Sequence, residues 1–384
     1  MPAPELYIGL MSGTSLDGVD GVLADFNGSR PRVICHAAAP FPRELRAELL
    51  ALNTAGDNEL HRAALAANAL VRVYAAVVGG LLRTANLPAA QITAIGAHGQ
   101  TVRHRPQEFD AQPAQGIAGG YTLQLNNPAL LAELTGIDVV ADFRTRDVAA
   151  GGQGAPLVPA FHREVFGESK EGMGEALAVL NIGGISNLSV LGAGAADPLL
   201  GFDCGPGNAL MDHWCQQHTG QPFDRDGAWA AQGQVEQALL ASLLADPYLA
   251  KAPPKSTGRD LFNPAWLAHQ LAPWAGLAPV DVQATLTEFT ASACATCVSS
   301  YGKDSKSLIV CGGGALNGHL MRRLQALLPA VAVRSSAAHG LPPLEVEAAA
   351  FAWLARQAVL RRPGNLASVT GARGERVLGA IYPA

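Results

Sequence analysis

Charged residues are scarce in this chain, 15% of the total, and neither sign dominates, the formal net charge being −5. There is no basic field to attract nucleic acid or an anionic membrane surface. The six cysteines, Cys35, Cys204, Cys215, Cys294, Cys297 and Cys311, lack the spacing of a disulfide framework and point to a reducing cytoplasm. Cys294-Ala-Thr-Cys297 is a lone CxxC inside an expected helix. Zinc would need two more ligands at suitable spacing, so the pair reads as small buried apolar residues. No basic stretch followed by an apolar run opens the chain, so no signal peptide is expected. The longest apolar region, residues 63–82, is interrupted by Arg72 and reads as a core helix rather than a membrane span.

Several nucleotide and hydrolase signatures are also missing. No G-x-x-x-x-G-K-[ST] occurs: Gly302-Lys303 is followed by Asp304 and lacks the upstream glycine. No strand-linked G-x-G-x-x-G with a suitably spaced acid argues for a Rossmann dinucleotide site. H-E-x-x-H and G-x-S-x-G are absent.

What is present is apolar and glycine-rich. At 384 residues with 49% hydrophobic content, the chain suits two domains with two cores. Glycine accounts for 42 residues, about 11%, against a usual ~7%. Short strands are expected at 7–10, 19–26, 33–38, 92–97, 137–141, 177–182, 185–191, 199–202, 308–311 and 331–334. Helices are expected at 44–52, 58–85, 128–135, 156–166, 208–217, 235–245, 261–271, 280–301, 317–328 and 345–360. Residues 111–120 read as a loop-like surface insertion. Mixed strands and helices in both halves make an α/β protein.

Glycine clusters recur near residues 9–18, 151–154, 183–184, 205–207 and 312–314, most of them after a short apolar strand. Backbone without side chains can approach a phosphate and aim N–H groups at it. Tight hairpin turns in an Ala/Gly-rich protein are the plainer alternative. Residues 177–191 repeat the strand, polar glycine turn, strand pattern of residues 7–26, and Asn181 lies 172 positions after Gly9. Two such hairpins half a chain apart suggest two related domains. The charged run Asp142-Phe-Arg-Thr-Arg-Asp147 suggests the boundary: residues 1–142 with about 366–384 as domain I, and 143–365 as domain II.

Six segments carry a resemblance: Gly9-Leu-Met-Ser-Gly-Thr-Ser-Leu-Asp-Gly-Val-Asp20, His98-Gly-Gln-Thr101, Asp142-Phe-Arg-Thr-Arg-Asp-Val-Ala-Ala-Gly-Gly-Gln-Gly-Ala-Pro-Leu-Val-Pro159, Leu180-Asn-Ile-Gly-Gly-Ile-Ser-Asn187, Phe202-Asp-Cys-Gly-Pro-Gly-Asn208 and Cys311-Gly-Gly-Gly-Ala315. Together they resemble the anhydro-N-acetylmuramic acid kinases, over essentially the whole chain. The resemblance implies a two-domain actin-like (ribonuclease H-like) ATPase fold with a central nucleotide cleft. It also implies ATP and Mg²⁺ as cofactors, a cytoplasmic place in peptidoglycan recycling, and a small sugar as substrate, with no nucleic-acid or membrane partner. A homodimer is compatible with it.

The implied reaction is unusual. A bridge joins the sugar's anomeric carbon to its 6-oxygen, so there is no free 6-hydroxyl to phosphorylate. Water must attack the anomeric carbon, and the released oxygen takes the γ-phosphoryl group. The resemblance assigns the base to Asp203, at the end of a short strand; by itself that residue could equally cap the helix starting near Asn208. It puts Arg146, Glu347 and His98 at the sugar. Arg146 suits a lactyl carboxylate, or else an ion pair with Asp142 or Asp147. Glu347 suits a helix first turn in any case, and His98 could instead orient the Gln100 loop. For the nucleotide it implies Ser12, Gly13, Thr14, Ser15, Leu16, Asp17, Gly18 and Val19 around the β- and γ-phosphates. Gly183, Gly184 and Asn187 would oppose them, and Gly312, Gly313 and Gly314 would lie against adenosine. Met11 and Asn181 stand where the wider superfamily places aspartates for Mg²⁺, leaving Asp17, Asp20 or Asp203 as substitutes. A different sugar kinase of this fold and a non-catalytic nucleotide switch are the rival readings.

Overall fold

The structure, a computed structural model, describes residues 5–13, 16–28, 30–106, 120–167, 176–192, 199–257 and 261–384. Its strands are β1 (Leu6–Met11), β2 (Gly18–Asp25), β3 (Arg32–Pro40), β4 (Ala94–Ala97), β5 (Gln100–Arg105), β6 (Tyr121–Leu125), β7 (Val139–Ala141), β8 (Leu177–Ile182), β9 (Ile185–Leu191), β10 (Leu200–Pro206), β11 (Ser307–Cys311), β12 (Ala332–Ser335) and β13 (Ala380–Tyr382). Its helices are α1 (Arg43–Ala51), α2 (Glu59–Ala85), α3 (Pro128–Thr135), α4 (Thr145–Ala149), α5 (Val158–Phe166), α6 (Ala209–Thr219), α7 (Gln237–Leu244), α8 (Pro264–Leu271), α9 (Pro279–Tyr301), α10 (Gly318–Leu327), α11 (Val346–Val359) and α12 (Ala367–Thr370).

The chain divides into two compact units, Met1–Phe166 with Glu345–Ala384, and Gly167–Leu344. Both are built on one plan. In unit 1 the sheet order is β13-β7-β4-β1-β2-β3, and in unit 2 it is β10-β9-β8-β11-β12. Each sheet begins with three antiparallel strands, β1-β2-β3 or β8-β9-β10. Each then adds two strands parallel to the first, β4 and β7 or β11 and β12. The repeat suggested by the two glycine hairpins is therefore a repeat of whole sheets, with β13 an added edge in unit 1.

The sheet of unit 1 is covered on both faces, as parallel strands require. Ile8, Leu10, Ile95 and Ala97 point into a core shared with Leu70, Tyr74, Val77 and Leu81 of α2. The alternate residues Gly9 and Gly96, partners in register, face α11. A Cβ on Gly9 would fall on the carbonyl oxygen of Ala348, and one on Gly96 on that of Phe351. The helix lies directly on main chain, which explains both the strand glycines and the alanines of α11. Arg356 of α11 also makes two bonds to Glu5, at 2.9 and 3.0 Å.

The same helix explains why the units part at 166/167 and 344/345 rather than near 142 and 366. Residues 143–166 were expected in domain II, but α5 packs on α11, with Phe161 and Trp353 rings 6.2 Å apart. Residues 345–365 follow because α11 covers the face of the first sheet opposite α2. Among the described residues α2 is the one helix long and apolar enough to cross a membrane, and a face of it is buried in this core. The hairpin β5-β6 was not anticipated; its arms flank the expected insertion, of which residues 111–119 lie outside the described residues. In unit 2 the long helix α9 supplies Val282, Leu286, Phe289 and Cys294 to the core beneath β8, β10 and β11.

Placing a methyl group between β4 and α11 must push a backbone carbonyl aside. Gly96→Ala is expected to destabilise the protein by about 3 kcal/mol. Denaturant unfolding checks this, and wild-type stability in the variant would refute so close a packing.

Candidate active site

In unit 1 the first glycine loop joins β1 to β2, and Met11 pairs with Asp20 at its base. Thr14 and Ser15 lie outside the described residues. Ser12 is buried, and its Oγ donates to the Gly99 carbonyl at 3.1 Å and meets the Tyr74 hydroxyl at 2.9 Å. Leu16, at φ 58°, and Val19 turn their side chains into the core. Gly18 lies so close to β3 that a Cβ would fall on the Ala39 carbonyl. Asp17 is exposed and sits 3.6 Å from Arg46. Asp20 meets His36 at 3.2 Å. The Ser12, Leu16 and Val19 side chains thus anchor the loop and face away from any phosphate it would hold. His98-Gly-Gln100 buttresses it from behind. The His98 N–H donates to the Leu10 carbonyl at 3.1 Å, and Gln100 Nε2 to the Gly13 carbonyl at 3.2 Å.

His98 is itself buried. Its Nε2 accepts from Arg144 Nε at 3.1 Å and lies 3.0 Å from Arg144 Nη2, while Arg144 Nη1 donates to the Gly154 carbonyl at 2.7 Å. Burial, then the guanidinium charge, holds His98 well below the usual histidine range. The ring is neutral, carries its proton on Nδ1, and acts as a support for Arg144 and the 151–154 loop. Asp147 holds that loop from the other side. Its Oδ2 accepts from the Gly154 N–H at 2.8 Å, and its Oδ1 from Asn365 Nδ2 at 2.6 Å and Thr370 Oγ1 at 2.7 Å. Asp147 is therefore no partner for Arg146, which is exposed and has no ion pair among the described residues. Glu347 stands half-buried in the first turn of α11. Tyr74, Arg144 and Asp147 were missed as site residues; the charged run containing the last two was read as a boundary.

In unit 2 three glycine segments converge at one end of β8 and β11. The Gly183-Gly184 turn accepts three main-chain bonds, from Gly207 (3.0 Å) and Ala209 (3.3 Å) to Gly184 and from Asn208 (2.7 Å) to Gly183. The turn thus engages the N–H groups of Asn208 and Ala209 at the start of α6. Gly312, at φ 76°, lies against Asn181 and the Ile182 carbonyl, and Gly314 against the Ile182 side chain. A Cβ on Gly313 would stand 3.1 Å from Asn208 Nδ2, which itself donates to Ile182 at 3.2 Å.

Strand register adds a row of polar side chains on one face. Asn181 of β8 is opposite Asn187 of β9, which is opposite Asp203 of β10. Such neighbours stand roughly 5 Å apart at Cβ. The Oδ1 of Asn181 is buried without a hydrogen-bond partner among the described residues. Asp203 lies within β10 rather than at a strand end, because the strand runs on to Pro206 through an irregularity between Asp203 and Gly205. Its Oδ2 accepts from the Thr257 N–H at 2.9 Å. Cys204, the next residue, lies against the thiols of Cys294 and Cys297 in the core.

Two units built on the same five-strand order, with glycine hairpins opening both sheets, make an actin-like α/β fold. The family model for anhydro-N-acetylmuramic acid kinase matches residues 5–384. The anhydro-N-acetylmuramic acid kinase of Variovorax paradoxus (strain S110) is 72% identical over 385 residues, covering all of both chains. That of Albidiferax ferrireducens is 65% identical over 398 residues, covering 99% of this chain and all of the relative. The chain belongs to the anhydro-N-acetylmuramic acid kinase family, which makes it a phosphotransferase. A glucokinase of the ROK family from Streptomyces griseus, solved with glucose and AMPPNP, aligns over 92% of this chain and 99% of its own. That superposition is loose, at 15% identity and a TM-score of 0.41.

The buried histidines predict a pH dependence. Burial lowers His162 to about 3, and His98 is lowered as well. The unfolded chain takes up these protons near pH 6.5 and the folded one does not. Their stabilisation is present above pH 6.5 and is lost as pH falls towards the folded values; for His162 the loss between pH 7 and 5 is about 2 kcal/mol. Urea unfolding should show His162→Phe losing less stability than wild type over that interval. Equal losses would contradict a neutral buried His162.

Proposed function

We propose that this chain uses ATP to open the 1,6-anhydro bridge of anhydro-N-acetylmuramic acid and phosphorylate the released 6-oxygen. The products are N-acetylmuramic acid 6-phosphate and ADP. Membership of the family supports the substrate and its place in peptidoglycan recycling. Use of ATP and the lack of disulfide spacing support a cytoplasmic setting.

One observation carries the mechanism: the row Asn181, Asn187, Asp203 puts a carboxylate one register step from the glycine turn. Asp203 takes a proton from water as its oxygen attacks the anomeric carbon. The bond from that carbon to the bridging oxygen breaks, and this oxygen attacks the γ-phosphorus in line with departure of ADP. Main-chain N–H groups of Gly13, Gly183 and Gly184 hold phosphate oxygens. Asn187 donates its side-chain amide to the phosphates. Adenosine lies against the 312–314 segment, whose glycines pack on Asn181, Ile182 and Asn208. On the sugar side, Arg146 receives the lactyl carboxylate and Glu347 a sugar hydroxyl. His98 acts through Arg144.

The residues present suit Mg²⁺ held mainly by phosphate and water. Among the described residues there is no cluster of three or more carboxylate, histidine or cysteine groups fit for a metal. The oxygens that would serve are the unpartnered Oδ1 of Asn181 and the carboxylate of Asp203. When bound, the ion neutralises charge on the transferring phosphate.

Asp203→Asn is expected to fold and bind ATP but to lose turnover by roughly 10³-fold; near-normal turnover would exclude it as the base. In water enriched in heavy oxygen, the label should enter at the anomeric carbon and not the phosphate. Label in the phosphate would mean plain ATP hydrolysis. Assays against ordinary hexoses should give little product beside the anhydro sugar, and the opposite preference would identify a different sugar kinase.

A further inference from the structure

The segment between α7 and α8 holds Asp203 at three points. The Asp203 N–H donates to the Lys255 carbonyl at 3.1 Å, the Tyr248 hydroxyl donates to the Asp203 carbonyl at 2.9 Å, and the Thr257 N–H donates to Oδ2 at 2.9 Å. β10 is the edge strand of its sheet, so main-chain groups of Asp203 that face away from β9 need partners from outside the sheet. The segment supplies them, and it reaches the carboxylate as well.

That segment has its own anchor. Lys255 is buried, with 9% of its surface exposed, and has no carboxylate within ion-pair distance among the described residues. Its Nζ donates to the Leu249 carbonyl at 3.1 Å and the Tyr248 carbonyl at 3.5 Å. The same nitrogen lies 4.9 Å from the centre of the Tyr248 ring and 5.9 Å from that of Phe202. A desolvated ammonium between two aromatic faces and two carbonyls has few alternative places to go. The Tyr248 ring is set in turn edge-on against Phe262 at 5.7 Å. Burial, and then the charge of Asp203, push the Tyr248 phenol upward, so it stays a hydroxyl and donates.

We infer that Tyr248 and Lys255 are positioning residues for Asp203. The caged ammonium fixes the course of residues 248–257, and that course fixes the main chain and one carboxylate oxygen of the base. The inference rests on the reading of Asp203 as the base. Neither side chain need touch sugar or nucleotide. Their effect falls on turnover, where a displacement of about 1 Å is costly, and not on binding.

A double-mutant cycle tests this. Tyr248→Phe keeps the ring on Lys255 and removes one bond; it should lower kcat about tenfold and leave both KM values within twofold. Lys255→Met keeps much of the stem and should lower kcat at least as far. In the Asp203→Asn background, Tyr248→Phe should change the residual rate less than twofold, because there is no base left to position. Thermal unfolding of each variant separates loss of folded protein from loss of turnover per folded molecule. If Asp203→Asn loses turnover while Tyr248→Phe keeps wild-type kcat, the positioning role is overturned and the base assignment stands. If Asp203→Asn keeps turnover, both fall. An equal factor from Tyr248→Phe in both backgrounds would mean a general structural effect and would also overturn the inference.

Discussion

Three N–H groups, those of Gly207, Asn208 and Ala209, donate to the two carbonyls of the Gly183-Gly184 turn. Much of unit 2 follows from that contact. It engages the N–H groups of Asn208 and Ala209 at the start of α6 and ties them to the turn that joins β8 to β9. It also sets the bend by which β10 turns into α6. The side chain of Asn208 extends the contact to Ile182 and lies against the 312–314 segment. A Cβ on Gly207 would fall on the Gly183 carbonyl, so the approach requires glycine.

The two sheets have the same strand order but different chemistry. In unit 2 the row at the end of the hairpin is Asn181, Asn187, Asp203. In unit 1 the counterpart of Asn181 is Met11, which pairs with Asp20, and Asp20 pairs with Ala38. Asp20 is engaged there by His36 at 3.2 Å. In unit 2 one amide oxygen of the row has no hydrogen-bond partner among the described residues. The same frame thus carries Met11, Asp20 and Ala38 in one unit and Asn181, Asn187 and Asp203 in the other.

The hairpins were legible because strand, polar glycine turn and strand each leave a local mark at fixed spacing. The strands at 177–182 and 185–191 agree with β8 and β9 residue for residue. Helix α3 was expected at 128–135, the bounds it has, and it lies between the caps Asn127, which accepts from the Leu130 N–H, and Gly136. The unit boundaries could not be read, because they depend on α11 packing against strands roughly 250 to 340 residues earlier. The burial of Val19 and Leu16, within a motif that resembles a phosphate loop, depends on α2. The support from Tyr248 and Lys255 had no local signal either: a lysine in a polar stretch looks exposed until two rings are folded around it.

The packing of α11 on Gly9 and Gly96 also has a consequence in time. The helix that covers the inner face of the first sheet belongs to residues 345–384, so during synthesis unit 1 is the first to begin and the last to be completed. Unit 2 is contiguous and can be whole while β1 and β4 still lack their cover. Until α11 emerges, the Ala- and Gly-rich face of that sheet remains open, and the nascent chain carries an exposed apolar surface that chaperones recognise.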